Sequence, residues 1–151
     1  VPNVTFRTTF IVGFPGETDA EFRELLDFVR ESRFDRVGAF AYSQEEGTPA
    51  HDMPDQVPDE VKKARLDELM YVQRGISREL NKALVGREVE VLVEGNSEES
   101  ELVWVGRTSQ QAPEIDGLTY ISGFEEDLKP GMILKGRVEQ VTDYDLVVGP
   151  A

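Results

Sequence analysis

Two short stretches hold the residue types from which a ligand site is made. The first is Ile11-Val12-Gly13-Phe14-Pro15-Gly16-Glu17-Thr18. It ends a run of β-branched and aromatic residues, 5–14, that reads as a buried strand. The second is Phe40-Ala41-Tyr42-Ser43-Gln44-Glu45-Glu46-Gly47-Thr48-Pro49-Ala50, which starts on the apolar run 37–42. Ligands of α/β folds bind beyond the C-terminal ends of parallel strands. Glycines there let a ligand come close to the backbone. Two such loops on one rim suit a shared ligand. The first loop has a plainer alternative, a strand-to-helix turn with an N-cap. The stretch is not a phosphate-binding P-loop, because no Gly-Lys-Ser/Thr follows, and it lacks the GxGxxG dinucleotide fingerprint.

The elements that position these loops are legible in the periodicities. Pro15-Gly16 stops the strand. Thr18 is an N-cap with Glu21 three residues on, a capping box. The helix that follows, about 14 residues long, puts Phe22, Leu25, Leu26 and Val29 on one face and stops near 32–34. Strand, helix and strand make a βαβ unit with parallel strands. Residues 43–58 form a polar loop with prolines at 49, 54 and 58; such length without regular structure signals function or disorder. A long helix is expected over 59–84, with Val61, Leu66, Leu69, Met70, Ile76, Leu80 and Leu84 apolar. Gly75 lies inside it at a cost of about 1 kcal/mol against Ala, and Gly86 is its stop.

After Gly86 the period becomes two. Val89, Val91 and Val93 alternate with Glu88, Glu90 and Glu94. Residues 94–100 read as an acidic hairpin loop, and further strands are expected at 101–107, 118–123, 132–141 and 144–149. Five short strands imply a small closed or nearly closed barrel of the OB type. The fold class is therefore α/β followed by all-β, divided into 1–85 and 86–151. The Val85-Gly86 linker is short, so the long helix is expected to pack on the barrel.

Charge and composition narrow the partners. The chain carries 16 Lys/Arg and 30 Asp/Glu, a net charge of −14. Residues 86–151 hold 5 of the basic and 14 of the acidic groups, a net of −9. That repels nucleic-acid backbones and suits a basic partner, or simply keeps the protein in solution. There is no Cys, so neither a disulfide nor a thiolate metal or cluster site can be built from this chain. No apolar run is long enough to span a bilayer. The opening Val1-Pro2-Asn3-Val4 has neither the basic nor the apolar region of a signal peptide and no initiator Met, as expected of an excised piece. A cytoplasmic location follows as the default.

At this point a resemblance applies. IVGFPGET, then AFAYSQEEGTPA, resembles the last two strands of the radical S-adenosylmethionine barrel in methylthiotransferases. MPDQVPDEVKKARLDELMYVQRGIS resembles their next helical segment, and the part after Gly86 resembles a TRAM domain. The match covers essentially the whole chain in order. GAFAYSQEEGTPA, GRTSQQAPEIDG (106–117) and DYDL (143–146) are similar to the ribosomal-protein-modifying branch of the family rather than to the tRNA-modifying branch. The acidic barrel agrees, since a tRNA-binding barrel should carry Lys and Arg.

The resemblance implies a βαβα piece of a radical S-adenosylmethionine partial barrel followed by a five-stranded TRAM barrel. It implies reductive cleavage of S-adenosylmethionine to a 5′-deoxyadenosyl radical and sulfur insertion at the β-carbon of an aspartate in a small-subunit ribosomal protein. A second S-adenosylmethionine gives the methyl group. The two 4Fe-4S clusters that this requires have no ligands in a chain without Cys, so the chain alone is expected to be inactive, with no catalytic residue and no metal ligand of its own. The cofactor cradle maps onto Ile11, Val12, Gly13, Phe40, Ala41 and Tyr42. Arg7 points into the same barrel, toward the cofactor carboxylate, the substrate or an interior ion pair. Glu17 reads as a residue favouring the helix N-terminus, His51 as surface, and Trp104 and Tyr120 as core or barrel face. The run Glu98, Glu99, Glu101 reads as solvated. Glu114, Asp116, Asp143 and Asp145 form a candidate docking surface for a basic partner, or merely solvated loop charges. Two other functions compete: a tRNA-modifying relative, and a non-enzymatic protein-binding module. A two-stranded piece cannot close a barrel, so dimerisation, strand swapping or local disorder is expected in 1–58.

Overall fold

In the computed structural model, strand β1 (Arg7–Val12) pairs in parallel with β2 (Arg36–Ala41), Arg7 opposite Arg36 and Ile11 opposite Phe40. Residues 4–125 and 127–151 are described; the expectation built on the opening Val1-Pro2-Asn3 lies outside them. Helix α1 (Asp19–Ser32) joins the two strands. Its capping box is formed: the Glu21 N–H donates to the Thr18 hydroxyl oxygen at 3.3 Å, and the Thr18 N–H donates to the Glu21 carboxylate at 2.8 Å. Arg33 ends it in the left-handed region at φ 48°, its N–H on the Val29 carbonyl. Phe22, Leu26 and Val29 are buried as the periodicity predicts; Leu25 is half-buried. Phe10, Phe28 and Phe34 form a ring cluster that brings α1 onto one face of the sheet. The opposite face is open: Ile11 is 58% exposed and Phe40 63%.

The 43–58 stretch contains a short 3-10 turn, Pro49–Asp52, that the periodicities do not indicate. Helix α2 follows over Asp59–Lys82, ending two residues before the expected limit. Its buried stripe also differs from the expected apolar one. Leu69 and Ile76 are buried, but so are Lys62, Arg65, Gln73, Ser77 and Asn81. Buried polar groups persist when they are hydrogen-bonded. Gln73 donates to the Phe34 carbonyl at 2.9 Å, and Asn81 donates to the Thr142 and Asp143 carbonyls. Polar partners thus replace apolar packing along much of this helix.

The chain forms two compact units, Val1–Ile76 and Ser77–Ala151. The second begins within α2, whose last turns belong with the strands: Arg78 is ion-paired with Asp143 at 2.8 Å, and Leu84 packs against the core. Gly86, at φ 82°, sends its N–H to the Val138 carbonyl.

Strands β3 (Glu88–Ser97), β4 (Ser100–Thr108), β5 (Thr119–Ile121), β6 (Ile133–Val141) and β7 (Leu146–Pro150) close a barrel in the order β3-β4-β5-β7-β6. Only β5 and β7 run parallel. Closure leaves no free sheet edge. The alternation of β3 sends Val91 and Val93 inward to meet Ile121, Leu128, Leu134, Val138, Leu146 and Val148. Gly106 lies where a Cβ would strike the Leu92 carbonyl, so the close approach of β3 and β4 requires glycine there.

The first hairpin departs from the expected loop at 94–100. β3 continues through a bulge between Val93 and Gly95, and the turn narrows to Glu98-Glu99. Asn96 pairs with Trp104 and Ser97 with Ser100, so Glu101-Leu102-Val103 bulge outward. The Asn96 side chain donates to the Glu101 carbonyl at 2.9 Å, which holds this polar stretch in register. Among the described residues, no helix is long and apolar enough to cross a membrane.

Candidate functional site

The Gly13–Thr18 segment is built by local hydrogen bonds. Glu17 N–H donates to the Phe14 carbonyl at 2.9 Å, enclosing Pro15 and Gly16. Gly16 sits at φ 85°, so this four-residue turn has Pro and Gly in the central positions where a type II turn prefers them. Gly13 is also in the left-handed region, at φ 74°, and a Cβ there would collide with the Lys62 side chain. The glycine is required twice, by its conformation and by its neighbour.

Glu17 does more than favour a helix N-terminus. Its Oε1 accepts the Gly13 N–H at 2.8 Å. The same oxygen accepts from Arg65 Nη1 at 2.7 Å, and Arg65 Nη2 donates to Asp19 at 2.7 Å. Arg65 also donates to the Glu17 carbonyl at 3.1 Å. Burial works against its charge, but the hydrogen bonds to Asp19 and Glu17 outweigh burial and hold the guanidinium above its ordinary pKa. Lys62, one turn earlier, is buried, with its ammonium 3.0 Å from Asp59 and 5.4 Å from the centre of the Tyr42 ring.

The expected cofactor residues fall into two groups. Ile11 and Phe40 are register partners on the open sheet face, and Arg7 is exposed on the same face of β1. Val12 and Gly13 are buried. Ala41, opposite Val12, is exposed. Tyr42 N–H continues the ladder to the Val12 carbonyl at 2.8 Å, and its ring meets Phe14 at 5.3 Å. The Tyr42 hydroxyl is buried without a hydrogen-bond partner among the described residues. The strand ends, Val12–Gly13 and Ala41–Tyr42, thus lie side by side. An exposed apolar pair beside a glycine turn fits one wall for a flat aromatic ring. Nothing in this set fits an iron–sulfur cluster: the chain has no Cys, and no group of three or more His, Asp or Glu among the described residues is placed to hold a metal ion.

The four acidic docking candidates sit in two neighbouring loops of the barrel. Asp116 accepts the Ala112 N–H at 2.7 Å. Asp145 accepts the Leu118 N–H at 2.8 Å and the Thr142 hydroxyl at 3.2 Å. Asp143 pairs with Arg78. Glu114 is exposed, at φ 63°, at the tip of the first loop. Gly117 lies against the Tyr144 backbone and the Asp145 carboxylate, which brings the two loops together. His51 is half-buried, 2.8 Å from Asp52, and Trp104 packs against the core.

Comparison with known proteins reaches 97% of the chain. A family model described as the TRAM domain matches residues 85–149. The chain is 54% identical over 147 residues to the ribosomal protein uS12 methylthiotransferase RimO of Syntrophotalea carbinolica, covering 97% of the chain and 32% of that protein. It is 54% identical to the RimO of Anaeromyxobacter sp. strain K, of which it covers 31%, and 51% identical to that of Aquifex aeolicus, of which it covers 34%. The chain is similar to the RimO methylthiotransferases. It matches their C-terminal part and spans about a third of the length of these relatives. The ribosomal-protein branch read from GAFAYSQEEGTPA, GRTSQQAPEIDG and DYDL is the branch that these comparisons return.

No sequence motif marks Arg65, Lys62 or the second role of Glu17. Their partners lie up to 48 residues apart in sequence. The one local signal is a pair of basic residues, Lys62 and Arg65, at the i, i+3 spacing of a single helix face.

Proposed function

We propose that this chain is the C-terminal working part of an enzyme that methylthiolates the β-carbon of an aspartate in ribosomal protein uS12. The observation that carries this is the identity of 50–54% to RimO proteins over 97% of the chain. In this reading, residues 1–85 complete a radical S-adenosylmethionine partial barrel and 86–151 are its TRAM domain. When bound, S-adenosylmethionine and the two 4Fe-4S clusters supply the hydrogen-abstraction, sulfur-insertion and methyl-transfer chemistry. The cluster ligands lie outside this chain, which is therefore inactive alone.

The chain's own residues bind and orient. Ile11 and Phe40 present apolar surface to the adenine, and Gly13 turns the backbone at the edge of that wall. Val12, Ala41 and Tyr42 hold the rim of the same wall, and Arg7 presents a cation on the same strand face, toward a carboxylate. The acidic barrel attracts a basic ribosomal protein, with Glu114 leading and Asp116, Asp143 and Asp145 framing the surface. The tRNA-modifying alternative is disfavoured by the net charge of −9 on 86–151. A cytoplasmic setting, where ribosomal proteins are made, follows from the same reading.

The test is methylthiolation of purified uS12 by the enzyme that carries this chain as its C-terminal part, followed by mass spectrometry. A modified aspartate on uS12 is the expected product. Modification of tRNA with uS12 untouched would overturn the assignment.

A further inference from the structure

We propose that Arg65 is a positioning residue for the cofactor wall, acting through the Glu17 carboxylate on the Gly13 amide. The inference rests on the reading of Ile11, Gly13 and Phe40 as that wall. Its geometry is a relay. Arg65 Nη1 lies 2.7 Å from Glu17 Oε1, and that oxygen takes the Gly13 N–H at 2.8 Å. The other guanidinium nitrogen holds Asp19 in the first turn of α1. One side chain of α2 therefore ties together the end of β1 and the start of α1.

The arrangement has the features of preorganisation. Arg65 is 6% exposed and Glu17's carboxylate is largely covered, so water competes little for either. The planar fork makes separate contacts with two carboxylates, which lysine's single point charge cannot reproduce. Lys62 completes the seat, its stem filling the space that a Cβ on Gly13 would need. Both basic residues lie on α2, one turn apart, so this helix sets the shape of the turn from behind. An ordinary strand-to-helix connection needs only the N-cap, which Thr18 already provides with Glu21. The Glu17–Arg65 pair is additional to that, and its endpoint is the backbone of Gly13.

Two measurements test this. The first is amide hydrogen exchange by NMR on the chain itself. Gly13 should exchange about tenfold faster in Arg65→Gln, and about threefold faster in Arg65→Lys, which keeps a cation and serves if the Gln variant does not fold. An unchanged Gly13 rate in a folded variant overturns the relay. The second uses the intact methylthiotransferase carrying this chain. Arg65→Lys should raise KM for S-adenosylmethionine about threefold while kcat stays within twofold, with Phe40→Ala as the reference for the wall. If Phe40→Ala raises KM and Arg65→Lys does not, the positioning role fails and the wall stands. If Phe40→Ala leaves KM unchanged, the wall itself fails and the inference falls with it.

Discussion

The Thr119 hydroxyl donates to Gln111 Oε1 at 2.7 Å, deep in the barrel wall, where Thr119 is wholly buried and Gln111 nearly so. The same oxygen accepts the Thr108 N–H at 2.8 Å and lies 3.2 Å from the Thr108 hydroxyl. The Gln111 amide nitrogen donates to the Gly117 carbonyl at 2.8 Å. One side chain therefore fixes both ends of the loop between β4 and β5, the loop that carries Glu114 and Asp116.

Replacing this hub by an apolar residue of similar size should be costly. Gln111→Leu strands the Thr108 N–H and the Gly117 carbonyl, and each buried group left unpaired costs about 1–3 kcal/mol. Urea unfolding should show a loss of about 3 kcal/mol relative to the parent chain. A loss below about 0.5 kcal/mol would mean that water or a shifted loop satisfies those groups.

The cap of α1 gives a pH-dependent contribution of known sign. The Thr18 N–H and then the Thr18 hydroxyl hold the Glu21 carboxyl below its ordinary value of 4.5; desolvation opposes them, and Arg65 adds a weaker favourable effect. A folded-state pKa below the unfolded one stabilises above the unfolded value, and the benefit disappears as pH falls through the folded pKa. Thr18→Ala should cost about 1 kcal/mol near neutral pH. The stability difference between the parent chain and Glu21→Gln should shrink as pH falls below 4.5. A difference that stays constant down to about pH 2 would contradict the linkage.

Much of this architecture is legible in sequence because it follows from local rules. Thr18 and Glu21, Pro15-Gly16, and the alternation of Val89, Val91 and Val93 each express one backbone preference and one periodicity. The misreadings arise where partners are distant. Residues 94–100 contain Gly and Asn, which signal a loop, yet the β4 backbone opposite keeps Gly95 and Asn96 in the ladder and moves the turn to Glu98-Glu99. The buried polar stripe of α2 runs against apolar periodicity, because Arg65, Gln73 and Asn81 are stabilised by partners that only the fold supplies. The turn at Gly13 follows from its Pro-Gly motif; the Arg65 contact behind it, 48 residues from Glu17, follows from no local rule.

The proposed docking through the acidic barrel should be governed by salt. Binding of uS12 to the chain should weaken markedly between about 50 and 500 mM salt, because exposed charges are screened over a Debye length of roughly 10 Å at 0.1 M and 3 Å at 1 M. Glu114→Lys reverses the one docking carboxylate that is both exposed and at a loop tip, and should slow association about threefold at low salt. Surface plasmon resonance checks both. Affinity that is indifferent to salt would place the contact on apolar surface instead.

The open face of β1 and β2 sets the last expectation. Ile11 and Phe40 are register partners, each more than half exposed, and paired apolar surface of this kind seeks cover. Each strand has one neighbour among the described residues, so backbone donors and acceptors on the outer edges also lack a ladder. The chain by itself should therefore associate into dimers at tens of micromolar, by face packing or strand exchange. Sedimentation velocity measures this directly. Phe40→Ser, which removes the largest exposed ring on that face while leaving the α1-covered side intact, should shift the population toward monomer. If the parent chain is monomeric throughout and its β1 and β2 amides are fully protected from exchange, the face is tolerated in water and the association argument is wrong.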